Sequence, residues 1–95
     1  MQNTSRGKPM VIDFTATWCP PCKQIGPIFD AMANEPAYKG AVKFFKCDVD
    51  QADDVSEACN IEAMPSFVMF KGGQECDRFT GASEEALRKM LDKNK

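Results

Sequence analysis

Trp18-Cys19-Pro20-Pro21-Cys22-Lys23 is the stretch that decides how this 95-residue chain folds and reacts. It follows an apolar, strand-like run at 10–16 and opens a segment with helical periodicity. Residues i and i+3 of a helix have Cβ atoms about 5–6 Å apart, so the two thiols can be bridged after a modest adjustment. Free N–H groups and the helix dipole also favour a thiolate at a helix start. The pattern predicts a reversible dithiol–disulfide couple.

The composition excludes several kinds of site and partner. Histidine is absent, which rules out His-dependent triads and Cys/His zinc sites. The net charge of −2 comes from interspersed charges, and no apolar run is long enough to span a bilayer, so we expect neither nucleic-acid nor membrane binding. Residues 1–8 contain no apolar signal segment, and five cysteines, an odd number, suit a reducing compartment. We therefore expect a cytoplasmic protein.

Hydrophobic periodicity predicts the element order β-α-β-α-β-β-α. In chain order the elements are a strand at 10–16, a helix with an apolar stripe from Cys22 to Met32, a strand at 41–49, a short helix at 50–60, a hairpin with strands 66–70 and 75–80, and a last helix capped by Ser83. The first β-α-β unit implies parallel strands, and the hairpin makes the sheet mixed. The strand at 41–49 has apolar side chains on both faces, which predicts cover on both faces.

Several separated motifs in this order resemble the thioredoxin family over about residues 9–92. They are Asp13-Phe14-Thr15-Ala16-Thr17-Trp18-Cys19, Cys22-Lys23, Lys46, Asp48-Val49-Asp50, Met64-Pro65-Ser66-Phe67, Phe70-Lys71-Gly72-Gly73 and Gly81-Ala82. The resemblance implies an α/β thioredoxin fold, with a central mixed sheet of about four strands and helices on both faces. We expect a flexible N-terminal segment at 1–8 and a single domain at 9–95.

Two features depart from the family pattern. Pro20 stands where the family usually has glycine, as in the tryparedoxin and nucleoredoxin branches, and it removes one N–H near the Cys19 sulfur. The family fold also begins with an additional strand and helix, and the residues before Met10 are too few for both. The strand at 42–48 is therefore expected to expose an edge that favours self-association, unless an N-terminal segment partly replaces the missing strand.

The resemblance assigns chemical roles around the cysteines. Cys19, expected to be exposed at the helix mouth, is the attacking nucleophile, and Cys22 is the resolving thiol. Asp13 matches a buried family carboxylate that shuttles the proton of Cys22, whereas strand alternation alone directs its side chain to water. Lys46 matches a lysine that approaches and tunes this carboxylate, with a solvated strand-end lysine as the alternative.

A substrate groove is expected around the nucleophile. Its residues are Thr17, Trp18, Pro20, Pro21, Met64, Pro65, Gly81 and Ala82. The resemblance also implies a cis bond before Pro65, in a loop whose backbone pairs with an extended substrate. We interpret Cys47 and Cys76 as packing residues and Cys59 as a buried, inert thiol, with regulatory oxidation of Cys59 as a minor alternative.

The resemblance implies a thiol–disulfide oxidoreductase that reduces disulfides in proteins such as peroxiredoxins and contributes to redox homeostasis. It further implies that the protein binds no cofactor or metal itself and is re-reduced by a flavin-containing thioredoxin reductase that uses NADPH. Three alternatives stay open: a tryparedoxin-like carrier to peroxidases, favoured by Pro20, a thioredoxin-fold binding module with vestigial cysteines, and a metal-binding module. A second close pair of cysteines, which metal sites usually need, is absent.

Overall fold

A computed structural model describes residues 8–95, which form four strands and four helices. In chain order these are β1 (Met10–Thr15), α1 (Pro20–Met32), α2 (Pro36–Lys39), β2 (Lys43–Asp48), α3 (Asp53–Ala58), β3 (Ser66–Lys71), β4 (Gln74–Thr80) and α4 (Glu84–Asn94). The seven predicted elements are confirmed in type and order. The single turn α2 was not predicted, because four residues are too few to show a helical period. Apart from the exposed Lys8, the segment expected to be flexible lies outside the described residues.

The four strands form one mixed sheet in the order β2-β1-β3-β4. β1 pairs in parallel with β2 and antiparallel with β3, and β3 pairs antiparallel with β4. The turn between β3 and β4 contains Gly72 and Gly73 at φ angles of 65° and 83°, a left-handed conformation that glycine adopts without steric cost. The predicted mixed sheet and its hairpin are confirmed.

The main core lies between one face of the sheet and the helices α1 and α4. Its buried side chains include Val11, Phe67 and Met69 from the sheet, Ile25, Phe29 and Met32 from α1, and Leu87, Met90 and Leu91 from α4. On the opposite face, Phe45 is the register partner of Ile12, and both border a cavity with Val55 of α3. Helices therefore lie on both faces, as the resemblance implied. None of the helices described here has the length and apolar character that a bilayer crossing requires.

Two expectations about burial were wrong. β2 is covered fully on one face only: Phe44 packs against Phe29, with ring centroids 5.1 Å apart, but Phe45 on the opposite face is 48% exposed although α3 lies beside it. Within residues 8–95 no strand pairs with the outer edge of β2. Cys76 is not a packing residue, because it is exposed on β4, the other edge strand.

The remaining two free thiols are half-buried. Cys47 lies at the end of β2, where burial raises the pKa of its thiol above the ordinary range. Cys59 lies at the C-cap of α3. Neither position is as buried as a core packing residue, so the interpretation of Cys59 as a buried thiol is only partly right.

Candidate active site

Cys19 and Cys22 lie at the N-terminus of α1 and form a disulfide, with their Cα atoms 5.2 Å apart. Cys19 is the N-cap residue, and the backbone N–H of Cys22 donates a hydrogen bond to its Sγ at 3.3 Å. Pro20 and Pro21 fill the first two helical positions, so Cys22 supplies the first N–H of the helix. The double proline thus leaves intact the donor that caps the sulfur. After reduction, this N–H and the helix dipole both stabilise a negative charge on Cys19.

The disulfide is more buried than the sequence suggested. Cys19 is only 4% exposed and forms a small apolar cluster with Ala16 and Cys22, against which Val49 and Met64 pack. Its Sγ lies 3.8 Å from the carbonyl oxygen of Met64. The expectation of an exposed Cys19 is therefore wrong for the oxidised protein, because the loop at Met64 covers the mouth of the helix.

The loop before β3 brings further predicted residues to the cysteines. The peptide bond between Met64 and Pro65 is cis, as the resemblance implied. The carbonyl oxygen of Pro65 accepts a hydrogen bond from the N–H of Gly81 at 2.9 Å, which ties this loop to the end of β4. Met64 is thus beside Cys19, and Gly81 is beside Pro65. Ala82, the residue after Gly81, is exposed.

Trp18 lies on the surface immediately before Cys19. Its side chain is 62% exposed, and its indole Nε1 donates a hydrogen bond to Oδ2 of Asp50 at 2.7 Å. The bond fixes an apolar ring in solvent beside the disulfide. Asp50 was not predicted as a site residue, although it stands in the motif Asp48-Val49-Asp50. Thr17, Pro20 and Pro21, the other predicted groove residues, are also exposed around this helix start.

Asp13 is buried in the centre of the sheet. It is 1% exposed, and neither carboxylate oxygen has a hydrogen-bond partner among residues 8–95. Burial raises the pKa of this carboxyl from 3.8 to about 6, although the nearby ammonium of Lys46 opposes the change and the carboxylate of Asp30 adds to it. The alternative based on strand alternation is wrong, because α1 covers this face of β1.

Lys46 is the register partner of Asp13 on the adjacent parallel strand. Its ammonium is not bound to Asp13, but forms an ion pair with Oδ2 of Asp30 at 3.0 Å. An open cavity of about 470 Å³ runs past Cys22, Gly26, Asp30 and Lys46. The sequence reasoning missed Asp30. The only available signal was its spacing, since Cys22, Gly26 and Asp30 follow one another at intervals of four residues on one face of α1.

Comparisons with known proteins agree with this arrangement. The family model described as Thioredoxin matches residues 2–93. The chain is 48% identical over 88 residues to a thioredoxin of Ictalurus punctatus, which covers 93% of this chain and 81% of the relative. It is 47% identical over 87 residues to an H-type thioredoxin of Chlamydomonas reinhardtii, which covers 92% of this chain and 75% of the relative.

Solved structures give the same result. The structure of Fasciola hepatica thioredoxin matches with a TM-score of 0.91 and 42% identity, over 98% of this chain and 86% of that one. The structure of Malassezia sympodialis thioredoxin matches with a TM-score of 0.88 and 43% identity, over 95% of this chain and 80% of that one. With a cysteine pair at the start of the first helix of this fold, the chain belongs to the thioredoxin family and is a thiol–disulfide oxidoreductase.

Proposed function

We propose that Cys19 is the nucleophile and Cys22 the resolving thiol in the reduction of protein disulfides. The reduced Cys19 thiolate attacks one sulfur of the substrate disulfide, and the other substrate sulfur leaves as a thiolate that takes up a proton from water. The thiolate of Cys22 then attacks the Cys19 sulfur, which releases the second substrate thiolate and forms the Cys19–Cys22 disulfide. Two electrons pass from the cysteine pair to the substrate.

The observation that carries this assignment is the N-cap position of Cys19. Of the two sulfurs, the one of Cys19 receives the N–H of Cys22 and lies at the positive end of α1. Burial in the apolar cluster disfavours the thiolate, but a hydrogen bond to a charged group contributes about 1.5–3 kcal/mol and the helix terminus adds about 0.3–1 kcal/mol. These two contributions favour the anion on Cys19 over the anion on Cys22.

Asp13 is proposed to accept the proton that Cys22 loses before it attacks. A general base works best when its pKa is near the working pH, and burial brings the pKa of Asp13 to about 6. Both of its oxygens are free of hydrogen bonds within the described residues, so either can accept a proton. Lys46 tunes this group through its positive charge, which lowers the pKa of Asp13.

The substrate is proposed to be an extended peptide segment that crosses the disulfide. The exposed Trp18 ring offers an apolar wall, and the loop at Met64 and Pro65 offers backbone groups for strand-like pairing. The other proposed groove residues, at its rim, are Thr17, Pro20, Pro21, Gly81 and Ala82.

The partners are proposed from the family. Thioredoxins need no bound cofactor and work with a thioredoxin reductase. For this chain we propose a reductase that uses NADPH, peroxiredoxins among the substrates, and a location in the cytoplasm. One similar structure, with a TM-score of 0.85 and 39% identity, concerns the thiol resolving mechanism of a yeast mitochondrial 1-Cys peroxiredoxin via glutathione/thioredoxin systems. That description belongs to the other protein and supports the peroxiredoxin proposal only by similarity.

The experiment is insulin-disulfide reduction with Cys19→Ser, Cys22→Ser and Cys76→Ser. We expect Cys19→Ser to be inactive and Cys22→Ser to accumulate a mixed disulfide through Cys19, because the resolving step is lost. Cys76→Ser is the matched control, since it removes an exposed thiol on β4 and leaves the rate unchanged. A Cys22→Ser variant that traps no partner contradicts the assignment and supports the binding-module alternative.

The same assay identifies the electron donor. Turnover that is much faster with NADPH and thioredoxin reductase than with a low-molecular-weight dithiol alone is the expected result. Turnover that needs the low-molecular-weight dithiol instead supports the tryparedoxin-like alternative that Pro20 suggests.

Self-association through β2 is a separate proposal. Phe45 and Val55 are 48% and 40% exposed beside a strand edge that has no partner within residues 8–95. An antiparallel contact between two copies would pair their β2 edges and bury the Phe45 ring of each copy. We expect sedimentation velocity to reveal a concentration-dependent dimer that Phe45→Glu removes. A monomer at all concentrations refutes this proposal without affecting the redox assignment.

A further inference from the structure

The Lys46 ammonium, in the cavity beside Cys22, lies near two carboxylates that differ in their surroundings. Asp13 is buried and has no hydrogen-bond partner within residues 8–95, whereas Asp30 is exposed on α1. Lys46 is the register partner of Asp13, yet its Nζ is 3.0 Å from Oδ2 of Asp30. The cation is therefore held by the exposed carboxylate, although the buried one is on the neighbouring strand.

We propose that Asp30 is a positioning residue that holds the Lys46 ammonium at the surface and thereby keeps the Asp13 carboxyl able to take up a proton near neutral pH. The inference rests on the proposed role of Asp13 as the proton acceptor for Cys22. It adds a residue that acts on the reaction through Lys46 and does not touch the reacting atoms.

The Lys46 side chain is long enough for its ammonium to reach either Asp30 or Asp13. Adjacent strands are about 4.8 Å apart, so the long, flexible side chain of Lys46 can turn back to its register partner. In the structure it extends across α1, where its Nζ lies 3.8 Å from the position that a Cβ of Gly26 would occupy. A Cβ at Gly26 would be in ordinary van der Waals contact with this ammonium, so the Lys46 side chain packs along α1 on its way to Asp30.

The charged groups around Asp13 are few. β2 contributes Lys46, whose charge lowers the pKa of Asp13, and α1 contributes Asp30, whose charge raises it. Lys23 and Asp48 line the same cavity as Cys22. On the other side, β3 places the uncharged Phe67 opposite Asp13. Loss of Asp30 removes a like charge and also frees Lys46 to approach Asp13, and both changes favour the ionised carboxylate.

The test is an NMR titration of the Asp13 carboxyl carbon in the oxidised protein. In Asp30→Asn we expect the midpoint to fall by about one pH unit or more, the size of effect that an approaching opposite charge has on a carboxyl. In Lys46→Met, where no ammonium can move, adding Asp30→Asn should shift the midpoint by only a small part of that amount. Glu85→Gln, which removes a charge from an exposed ion pair with Lys89 on α4, is the matched control and should leave the midpoint unchanged.

Two results overturn the inference: a midpoint that does not fall in Asp30→Asn, or a fall of the same size in the presence and absence of Lys46. Asp30 and Lys46 are both exposed, so the substitutions should not disturb the core, and thermal unfolding verifies that the variants remain folded. The pH dependence of mixed-disulfide resolution is measured on the same variants. A rate profile that stays fixed while the Asp13 midpoint moves refutes the proposed proton transfer by Asp13 and leaves the positioning role of Asp30 intact.

Discussion

The N-termini of α1 and α4 use the same capping geometry for different purposes. At α4, the hydroxyl of Ser83 accepts the N–H of Ala86 at 3.1 Å. At α1, the sulfur of Cys19 accepts the N–H of Cys22 at 3.3 Å. Both caps accept the N–H three residues ahead, so the local backbone solution is shared.

The difference between the two helices lies in the charge of the first turn. Glu84 and Glu85 follow Ser83, and their carboxylates already complement the helix dipole. The first turn of α1 has no acidic residue. The positive end of α1 is therefore left for Cys19 itself, and the comparison teaches that a capping residue becomes reactive when its neighbours leave the dipole unneutralised.

The largest expected effect comes from Cys19→Ser, because serine preserves the cap and removes the nucleophile. We expect the helix to remain intact, since serine caps helices well, and insulin reduction to fall by roughly a thousand-fold or more. Circular dichroism and the reduction assay measure the two effects on one sample. Ser83→Cys in the opposite direction keeps a cap but should not add activity. A Cys19→Ser variant that retains its activity would show that this cap is only structural.

The next largest effect is on the free energy of unfolding, which the buried carboxylate of Asp13 lowers. The acidic residues at the start of α4 are exposed and have no such effect. The pKa of Asp13 is about 6 in the folded protein against 3.8 ordinarily, so the folded state keeps a proton that the unfolded state loses as the pH rises from about 4 to about 6. Wild-type stability therefore falls across this window and stays lower above it. Asparagine does not titrate, so the free energy of unfolding of Asp13→Asn should exceed that of the wild type by up to about 3 kcal/mol at pH 8. At pH 4 the two proteins should have nearly the same free energy of unfolding.

Denaturant unfolding of the oxidised protein at the two pH values measures this difference. Glu62→Gln, which removes an exposed charge, is the control and should change stability by no more than about 0.5 kcal/mol at either pH. A difference between Asp13→Asn and wild type that is the same at pH 4 and pH 8 contradicts the raised pKa.

A smaller effect is expected at the cap of α4. Ser83→Ala removes the acceptor for the N–H of Ala86, which should cost about 1 kcal/mol in the free energy of unfolding. The reduction rate should not change, because this cap has no chemical role. A loss of activity without loss of stability would contradict the division of roles between the two helix starts.

The smallest effect tests the electrostatics of the first turn of α1. Lys23→Glu places a negative charge in the exposed first turn of α1, as α4 has naturally. A charge near a helix terminus contributes about 0.3–1 kcal/mol, so alkylation of reduced Cys19 at pH 6 should slow by roughly two- to five-fold. Lys23→Gln should give an intermediate rate. An unchanged rate in both variants would contradict an electrostatic contribution of the first turn of α1 to the reactivity of Cys19.

Much of the fold and of the cysteine site could be predicted from the sequence. The strand and helix periods gave the element order, because these signals are local, and the cap at Ser83 is local too. The spacing of Cys19 and Cys22 after an apolar strand predicted the disulfide for the same reason. The family motifs added the cis bond before Pro65, for which no local signal exists.

Contacts between distant segments could not be predicted in this way. Strand alternation directed Asp13 to water, because the pattern of one strand does not reveal that a helix covers that face. The apolar side chains of β2 suggested burial on both faces, whereas Phe45 lies on an edge strand. The ion pair of Lys46 with Asp30 joins two residues 16 positions apart, one on β2 and one on α1. The strand period and the helix period describe each element alone, so they do not predict a contact between the two elements.

The most direct test of the account is the alkylation of reduced protein by iodoacetamide at pH 6, with Cys19 and Cys76 followed separately by mass spectrometry. Cys76 is exposed on β4, so access favours it. The account predicts that Cys19 nevertheless reacts about tenfold faster or more, because its sulfur is a thiolate at a helix terminus. Equal rates, or a faster reaction at Cys76, would contradict the claim that the start of α1 activates Cys19.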